Sequence, residues 1–285
     1  MPKILLFAIS SALDDMSFPS QNNFLRPSNI HDSVENVQLI IYNMTIMINL
    51  SERLKTIYDL IYPGETVADV GTDAGLLPAA LLKDGRSPRV IMTDISQGSL
   101  DKCREYVAKN LPPTFQEGLH YQLRQGDGLT ILEPSEVDTV VMAGIGGMLS
   151  IDILSQDPAL SHSFKRIILQ PRKHVGRLRY WLWNHDFHIL REDLAREGRF
   201  IWPIITVEHG YRACFVNQDP DDIENEFPLT LLKYKNDLTG EYLENALRLE
   251  REKLESKSTG KLTTRTEIQT QEHRVRRLEY LISRL

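Results

Sequence analysis

A chain of 285 residues with 41% hydrophobic content is long enough for one sizeable core plus an appendage, or for two modest domains. Its formal net charge of −6 argues against a protein that coats nucleic acid through total charge, and no run approaches the ~18 apolar residues of a membrane span. Two cysteines, Cys103 and Cys214, give neither a disulfide framework nor a metal-ligand spacing, so a soluble, cytoplasmic protein with no metal and no membrane contact is expected.

Residues 1–46 mix Ser, Asn, Pro and Asp with short apolar scraps, among them Leu5-Leu6-Phe7-Ala8-Ile9, too short for a signal sequence. No period of 2 or 3.6 is sustained there, so this extension is expected to be poorly ordered and the core to start near Met47. Leu50, Leu54, Ile57, Leu60 and Ile61 then share one helical face, which Pro63-Gly64 ends. Short apolar runs and amphipathic segments alternate from that point. Strands are predicted over 66–70, 89–93, 121–124, 138–142 and 166–169, and helices over 76–83, 97–110 (with Ser96 as N-cap), 148–155 and 175–185. Strands joined by crossover helices imply a parallel, doubly wound α/β sheet covered on both faces.

Segments 187–194 and 199–208, separated by Arg196-Glu197-Gly198, read as a hairpin instead of another crossover. Pro203 lacks a ladder donor and therefore demands a bulge or an edge. From Pro228 the pattern turns charged and Leu-punctuated. Leu243, Leu247, Glu250 and Leu254, then Ile268, Gln271, Val275, Leu278, Ile282 and Leu285, predict two antiparallel helices broken at 256–260. The expected organisation is thus 47–227 as an α/β domain and 228–285 as a helical pair.

The chemistry concentrates in the loops after the strands. Val67-Ala68-Asp69-Val70-Gly71-Thr72-Asp73-Ala74-Gly75 is an apolar strand ending in a glycine turn, and Met92-Thr93-Asp94 ends the next strand in an acid. Such a turn lets a ligand approach the backbone, and such an acid can accept both hydroxyls of a ribose. The turn lacks the Gly-x-Gly-x-x-Gly of a pyrophosphate site, and Asp73 would repel a phosphate while welcoming an ammonium or a sulfonium. A methyl donor is therefore favoured over a dinucleotide. Asp69 can fix the turn or reach the cofactor, and its competing role is that of a turn or capping acid. For Asp94 the competing role is a cap on the following helix.

Gly126-Asp127-Gly128 offers an acceptor for an exocyclic amine, although such turns are common. Ala143-Gly144-Ile145-Gly146-Gly147 removes side chains where a planar substrate would approach. Gln170-Pro171-Arg172-Lys173 precedes a helix and lies in segment 164–199, where nine Lys/Arg, Arg177 among them, face four Asp/Glu. Its amides and basic groups can meet a phosphate. Tyr180, Trp181 and Trp183 have core spacing, whereas Phe200, Trp202 and Tyr211 near the hairpin are the better stacking candidates.

These elements in this order, Asp69-Val-Gly-Thr-Asp73, Thr93-Asp94-Ile95-Ser96, Gly126-Asp127-Gly128, Ala143-Gly144-Ile145-Gly146-Gly147 and Leu169-Gln170-Pro171 with the C-terminal helical pair, resemble the bacterial tRNA (adenine(22)-N1)-methyltransferase family. The resemblance runs from about Leu50 to the C-terminus. It implies a class I, Rossmann-like methyltransferase fold that uses S-adenosyl-L-methionine, with a C-terminal coiled-coil domain that helps hold tRNA. It also implies a last strand inserted antiparallel beside its neighbour, which would put Pro203 inside the sheet and sharpen the expectation of a bulge. Asp69, Gly71, Asp73, Gly75, Asp94, Ile95, Asp127, Gly128 and Ala143 would then surround the cofactor. Asp73 and Gly144 would serve the reacting centre, and Gln170, Arg172, Lys173 and Arg177 would meet the tRNA. Where the family commonly has Asp-His, this chain has Asp73-Ala74. The rival readings are a methyltransferase for another RNA or a small molecule, and a non-catalytic module that binds cofactor or RNA. The oligomeric state is left between monomer and weak dimer.

Overall fold

In the computed structural model, which describes residues 48–210, 219–259 and 263–285, helix α1 (Glu52–Leu60) leads into a seven-stranded sheet. The sheet is built from β1 (Val67–Val70), β2 (Val90–Asp94), β3 (Tyr121–Gln125), β4 (Thr139–Ala143), β5 (Arg166–Gln170), β6 (Phe187–Glu197) and β7 (Phe200–His209). Between them run α2 (Leu76–Lys83), α3 (Gln97–Asn110), α4 (Gly147–Gln156), α5 (Pro158–Ser163) and α6 (Val175–Asn184). The strand order is β3-β2-β1-β4-β5-β7-β6. β1 to β5 are parallel, and β7 is antiparallel to both β5 and β6. The expectations for residues 1–46 and for Tyr211 lie outside the described residues.

Alternation along each strand divides the core in two. Ala68, Val70, Ile91, Val140, Met142, Ile167 and Leu169 face α4, α5 and α6 through Leu154, Leu160, Leu178 and Leu182. Val67, Val90, Met92, Val141 and Ile168 face α1, α2 and α3 through Ile57, Leu77, Leu81 and Val107. The parallel strands β1, β2, β4 and β5 are buried on both faces, as a doubly wound sheet requires, while β3 at the edge is half-buried. Ser51 caps α1 and Ser96 caps α3, each accepting from the amide three residues on. Trp181 and Trp183 pack against the first core as expected. The short α5 escapes the sequence reading because fewer than two turns carry too little period; Asp157 caps it and Pro158 starts it.

Pro203 does lie in an interior strand, but the bulge is elsewhere. The β5 ladder ends at Leu169↔Ile205, short of Pro203, so the missing donor faces no β5 partner. The slip falls between Ile189 and Arg191 on β6, which leaves Leu190 as the extra residue.

After the hairpin, α7 (Ile223–Glu226) and α8 (Thr230–Lys233) lead to α9 (Thr239–Thr259) and α10 (Arg265–Ile282). Ile223, Phe227, Leu231, Leu243, Leu278 and Leu281 form a third cluster there. Leu281, not Ile282, is the fully buried residue of the last turn, and Leu285 is exposed. The break expected at 256–260 comes later, since α9 continues through Ser256. Ser258 and Thr259 return their hydroxyls to the carbonyls of Leu254 and Glu255, which satisfies them inside the helix.

Polar contacts tie this layer to the sheet. Arg179 of α6, wholly buried, pairs with Glu192 of β6 at 3.0 Å and donates to the carbonyls of Asn225 and Glu226. Asn236 donates to Leu194 O, and Arg196 pairs with Glu241. Between α9 and α10, burial pushes the Glu250 carboxyl up, but hydrogen bonds from Arg274, Lys253 and Gln271 outweigh it and hold the group down at about 2. Among the described residues no helix is long and apolar enough to cross a membrane.

Candidate functional site

The carboxyl ends of β1, β4 and β5 meet where the chain turns into α2, α4 and the approach to α6. This is the edge at which open α/β sheets bind ligands. A cavity of about 260 Å³ opens there. Asp69, Gly71, Asp73, Ala143, Gly144 and Arg172 line it, so six of the residues expected from the sequence are brought together. Arg53, Leu54, Thr72, Ala74, Leu76, Leu77 and Ile145 complete the wall.

The turn after β1 is built for approach to the backbone. Gly71 and Gly75 have φ of +72°, and Asp73, at +52°, holds the left-handed conformation that Asp tolerates better than most residues. Gly75 stands against Cys103 of α3, where a Cβ would come within 3.3 Å of the cysteine Cβ. The Cys103 thiol, pushed up to about 11 by burial, donates to Asp73 O.

Asp69 points from β1 into the cavity wall and is only 5% exposed. Burial raises its pKa to about 6; a hydrogen bond from Thr72 and the charge of Arg53 pull it down, while Asp94 pushes it up. A buried carboxylate with so little compensation favours a cationic partner in the cavity.

Asp94, the last residue of β2, Ile95 just after it, and Asp127 and Gly128 on the loop after β3 lie at the same edge but outside this cavity lining. The two segments are joined by Gly126 N–H to Asp94 O and by the Gln125 side chain to Ile95 O. Asp94 accepts from the Ser96 amide at 2.8 Å, a turn bond just before the helix, whereas the cap of α3 weighed for it is supplied by Ser96. Ile95 is 70% exposed and touches no described wall of the cavity. Gly126 and Gly128 have packing reasons of their own, because a Cβ would strike Ile131 Cγ2 at 2.2 Å and Ile153 Cγ2 at 2.9 Å.

The expected phosphate contacts divide. Arg172 and Lys173 are exposed, and the Arg172 guanidinium reaches over Gly144. Arg177 is exposed but paired with Asp221 through two hydrogen bonds, in a separate depression. Gln170 is placed differently from the expectation. It is 1% exposed, and its side-chain oxygen accepts from Arg53 Nη1 at 3.1 Å and from the Gly144 amide at 3.0 Å. The last residue of β5 points to the α1 side of the sheet, and no phosphate can reach it there. Phe200 is half exposed with Trp202 beside it at 5.3 Å between ring centroids, outside the cavity.

Arg53 is the residue that sequence reasoning missed. It sits among the apolar positions of α1, buried, lining the cavity, with Nε 3.0 Å from Glu197 Oε1 but not aligned to donate to it. A cation at a buried helical position is the one signal that could have found it. No group of three or more His, Cys, Asp or Glu among the described residues could hold a metal.

Comparison with known proteins identifies the family and the fold. Residues 50–205 match the family model described as a methyltransferase domain. The tRNA (adenine(22)-N(1))-methyltransferase of Bacillus subtilis (strain 168) is 30% identical over 167 residues, 58% of this chain and 67% of that protein. The crystal structure of the tRNA methyltransferase TrmK from B. subtilis superposes with a TM-score of 0.71 at 25% identity, covering 83% of this chain and 100% of that one. A structure of M. capricolum TrmK in complex with S-adenosyl-homocysteine gives a TM-score of 0.67 at 23% identity, over 82% and 98% of the two chains, a likeness of fold.

Proposed function

The chain belongs to the methyltransferase-domain family and, within it, to the bacterial tRNA (adenine(22)-N(1))-methyltransferases, and we infer from that membership that it methylates N1 of an adenine in tRNA. The donor is S-adenosyl-L-methionine, the site in tRNA is position 22, and the cytoplasm, where tRNA is handled, is its place of action. One arrangement carries the reading: Asp69, Asp73, Gly144 and Arg172 line a single cavity at the carboxyl edge of the sheet.

The residues present fit the donor. Its amino-acid end carries an ammonium, and the cavity lining brings Asp69 and Asp73 together with apolar walls of Leu54, Leu76 and Leu77. Asp94, closing β2, is the acceptor for the ribose, and Asp127 is the acceptor for the adenine amine. When bound, S-adenosyl-L-methionine supplies a methyl group on a positively charged sulfur.

Neutral adenine carries an in-plane lone pair at N1, so no side chain has to remove a proton before transfer. The task of the chain is to hold the base in line, and orientation alone can lower such barriers by up to about 7–11 kcal/mol. Methylation leaves the base cationic. Asp73 and the backbone at Gly144 offer negative potential at that point. N1 is covered when adenine is paired, so the nucleotide must be drawn out at a few kcal/mol. Contacts from Arg172, Lys173 and the α9–α10 pair to phosphates offset this cost.

The test is incubation with labelled donor and total tRNA lacking the modification, with the product mapped by nucleoside mass spectrometry. N1-methyladenosine at position 22 is the expected product. Donor binding without transfer to any RNA would favour the non-catalytic reading that Ala74 motivates, and transfer elsewhere would favour another RNA substrate.

A further inference from the structure

The cavity wall contains a buried link between elements far apart in sequence. Arg53 of α1 donates through Nη1 to Gln170 Oε1 at 3.1 Å. The same oxygen accepts the Gly144 amide at 3.0 Å, and the Gln170 carbonyl accepts that amide at 3.1 Å. Gly144 has φ of +79°, a conformation that its own sequence does not enforce and that these two bonds select. Arg53 is itself held from outside. Glu197, at the end of β6, lies 3.0 Å from its Nε and accepts from the Ser51 hydroxyl at 3.2 Å.

Resting on the reading that adenine lies over the Gly144 turn, we propose that Arg53 is a positioning residue for methyl transfer, fixing that turn through the single side-chain oxygen of Gln170. Two properties make Arg the side chain this place requires. Its fork reaches Gln170 and Glu197 at once, which one ammonium cannot do. Among the described residues it is also the cation whose charge lowers the Asp69 pKa. Facing Asp69 are Arg53 from α1, Thr72 from the turn, Cys103 from α3 and Asp94 from β2. Losing the cation leaves Asp69 under its burial and the charge of Asp94, so its carboxyl must move further up.

The experiment compares Arg53→Met, Arg53→Lys and Gln170→Leu with the wild type in steady-state kinetics across pH, alongside hydrogen exchange of the Gly144 amide followed by NMR. Arg53→Met is expected to lower kcat by about a hundredfold with KM for tRNA within about twofold, as misplacement of a reacting surface does. It should also move the acidic limb of kcat/KM to higher pH. Arg53→Lys should restore the acidic limb but not kcat. Gln170→Leu should lower kcat and leave the limb in place. In both Arg53→Met and Gln170→Leu the Gly144 amide should exchange at least about tenfold faster, since the side-chain acceptor of its two is loosened or gone and the carbonyl alone holds the turn less firmly. Unchanged kcat and unchanged Gly144 exchange in a folded Arg53→Met protein would overturn the proposal. The exchange measurement needs no turnover. Should the wild type methylate no RNA, the functional reading falls, and the exchange rates still decide whether Arg53 holds the turn.

Discussion

The Tyr234 hydroxyl donates to the Leu190 carbonyl at 2.8 Å, at the residue where the β6–β7 register slips. A bulge withdraws a carbonyl from its ladder, and here a side chain from the α8 end takes it up. The helical layer is therefore fastened to the sheet at the sheet's own irregularity. Tyr234→Phe keeps the ring and removes the donor. It is expected to cost about 1 kcal/mol, read as a lower urea midpoint with an unchanged m-value.

Arg179 and Glu192 are both wholly or almost wholly buried and bind each other through Nε and Nη2 of the arginine. Removing one partner strands the other in a low-dielectric interior. Arg179→Met should cost about 3–5 kcal/mol, whereas Arg179→Met with Glu192→Leu should recover a large part of that loss. A double-mutant cycle in chemical denaturation measures the difference. Equal stability of the single and double variants would show that the pair has no such coupling.

Gly146 and Gly147 are adjacent, yet they should respond oppositely to alanine. A Cβ at Gly147 would fall 2.5 Å from the His174 carbonyl oxygen and 2.8 Å from that of Lys173, whose oxygen also accepts the Gly147 amide. Backbone cannot step aside as a flexible side chain can. A Cβ at Gly146 meets nothing within 4 Å. Gly147→Ala should lower the melting temperature by several degrees and donor affinity with it, and Gly146→Ala should change neither by a measurable amount.

Asp69 gives a pH dependence whose sign is fixed. Its folded pKa, about 6, lies above the ordinary 3.8 because of burial, so the native state holds the proton more tightly than the unfolded chain does. Its stabilising contribution is complete below about pH 4 and is lost as pH rises to about 6, a change on the order of 3 kcal/mol. Donor affinity runs the other way and should fall as pH drops through about 6, where the carboxylate that meets the ammonium is protonated. Asp69→Asn should flatten both profiles, measured by thermal denaturation and by titration calorimetry with the donor. A wild-type donor affinity constant from about pH 5 to 8 would remove Asp69 from the donor site.

Arg172, which lines the cavity, and its chain neighbour Lys173 are both exposed. Arg172→Ala with Lys173→Ala should weaken tRNA binding and reduce the slope of log affinity against log salt by about 1 to 2, with donor binding nearly intact. Arg177→Ala should have a smaller effect, because that guanidinium is already paired with Asp221. Equal losses from Arg177→Ala and the double variant would reverse this order.

Much of the molecule is legible in local physical chemistry. Strand alternation divides Val67 from Ala68 and Ile167 from Ile168 between two cores, and Ser96 opens α3 at the residue predicted. Glycine turns at the ends of β1 and β4 mark the cavity, since a chain that must bend sharply and stay open writes that need into adjacent residues. Elements of fewer than two turns, such as α5 and α7, leave no periodic trace. The position of the bulge is also hidden. Proline advertises a missing donor at Pro203, whereas Leu190 has nothing in its own chemistry to mark it as the extra residue.

What only the tertiary structure decided is which polar groups would be paired inside. By sequence Gln170 is a surface residue in a basic segment, and in the fold it is an internal acceptor; Arg53 is by sequence one charge on an amphipathic helix, and in the fold it lines the cavity. The two meet across 117 positions of sequence, as Arg179 meets the carbonyls of Asn225 and Glu226 across 46 and 47. A local pattern can specify a helix face or a turn because its determinants are neighbours along the chain. A buried hydrogen bond between distant elements is fixed by how the layers dock and by the cost of leaving either partner unsatisfied, and no window of sequence contains both.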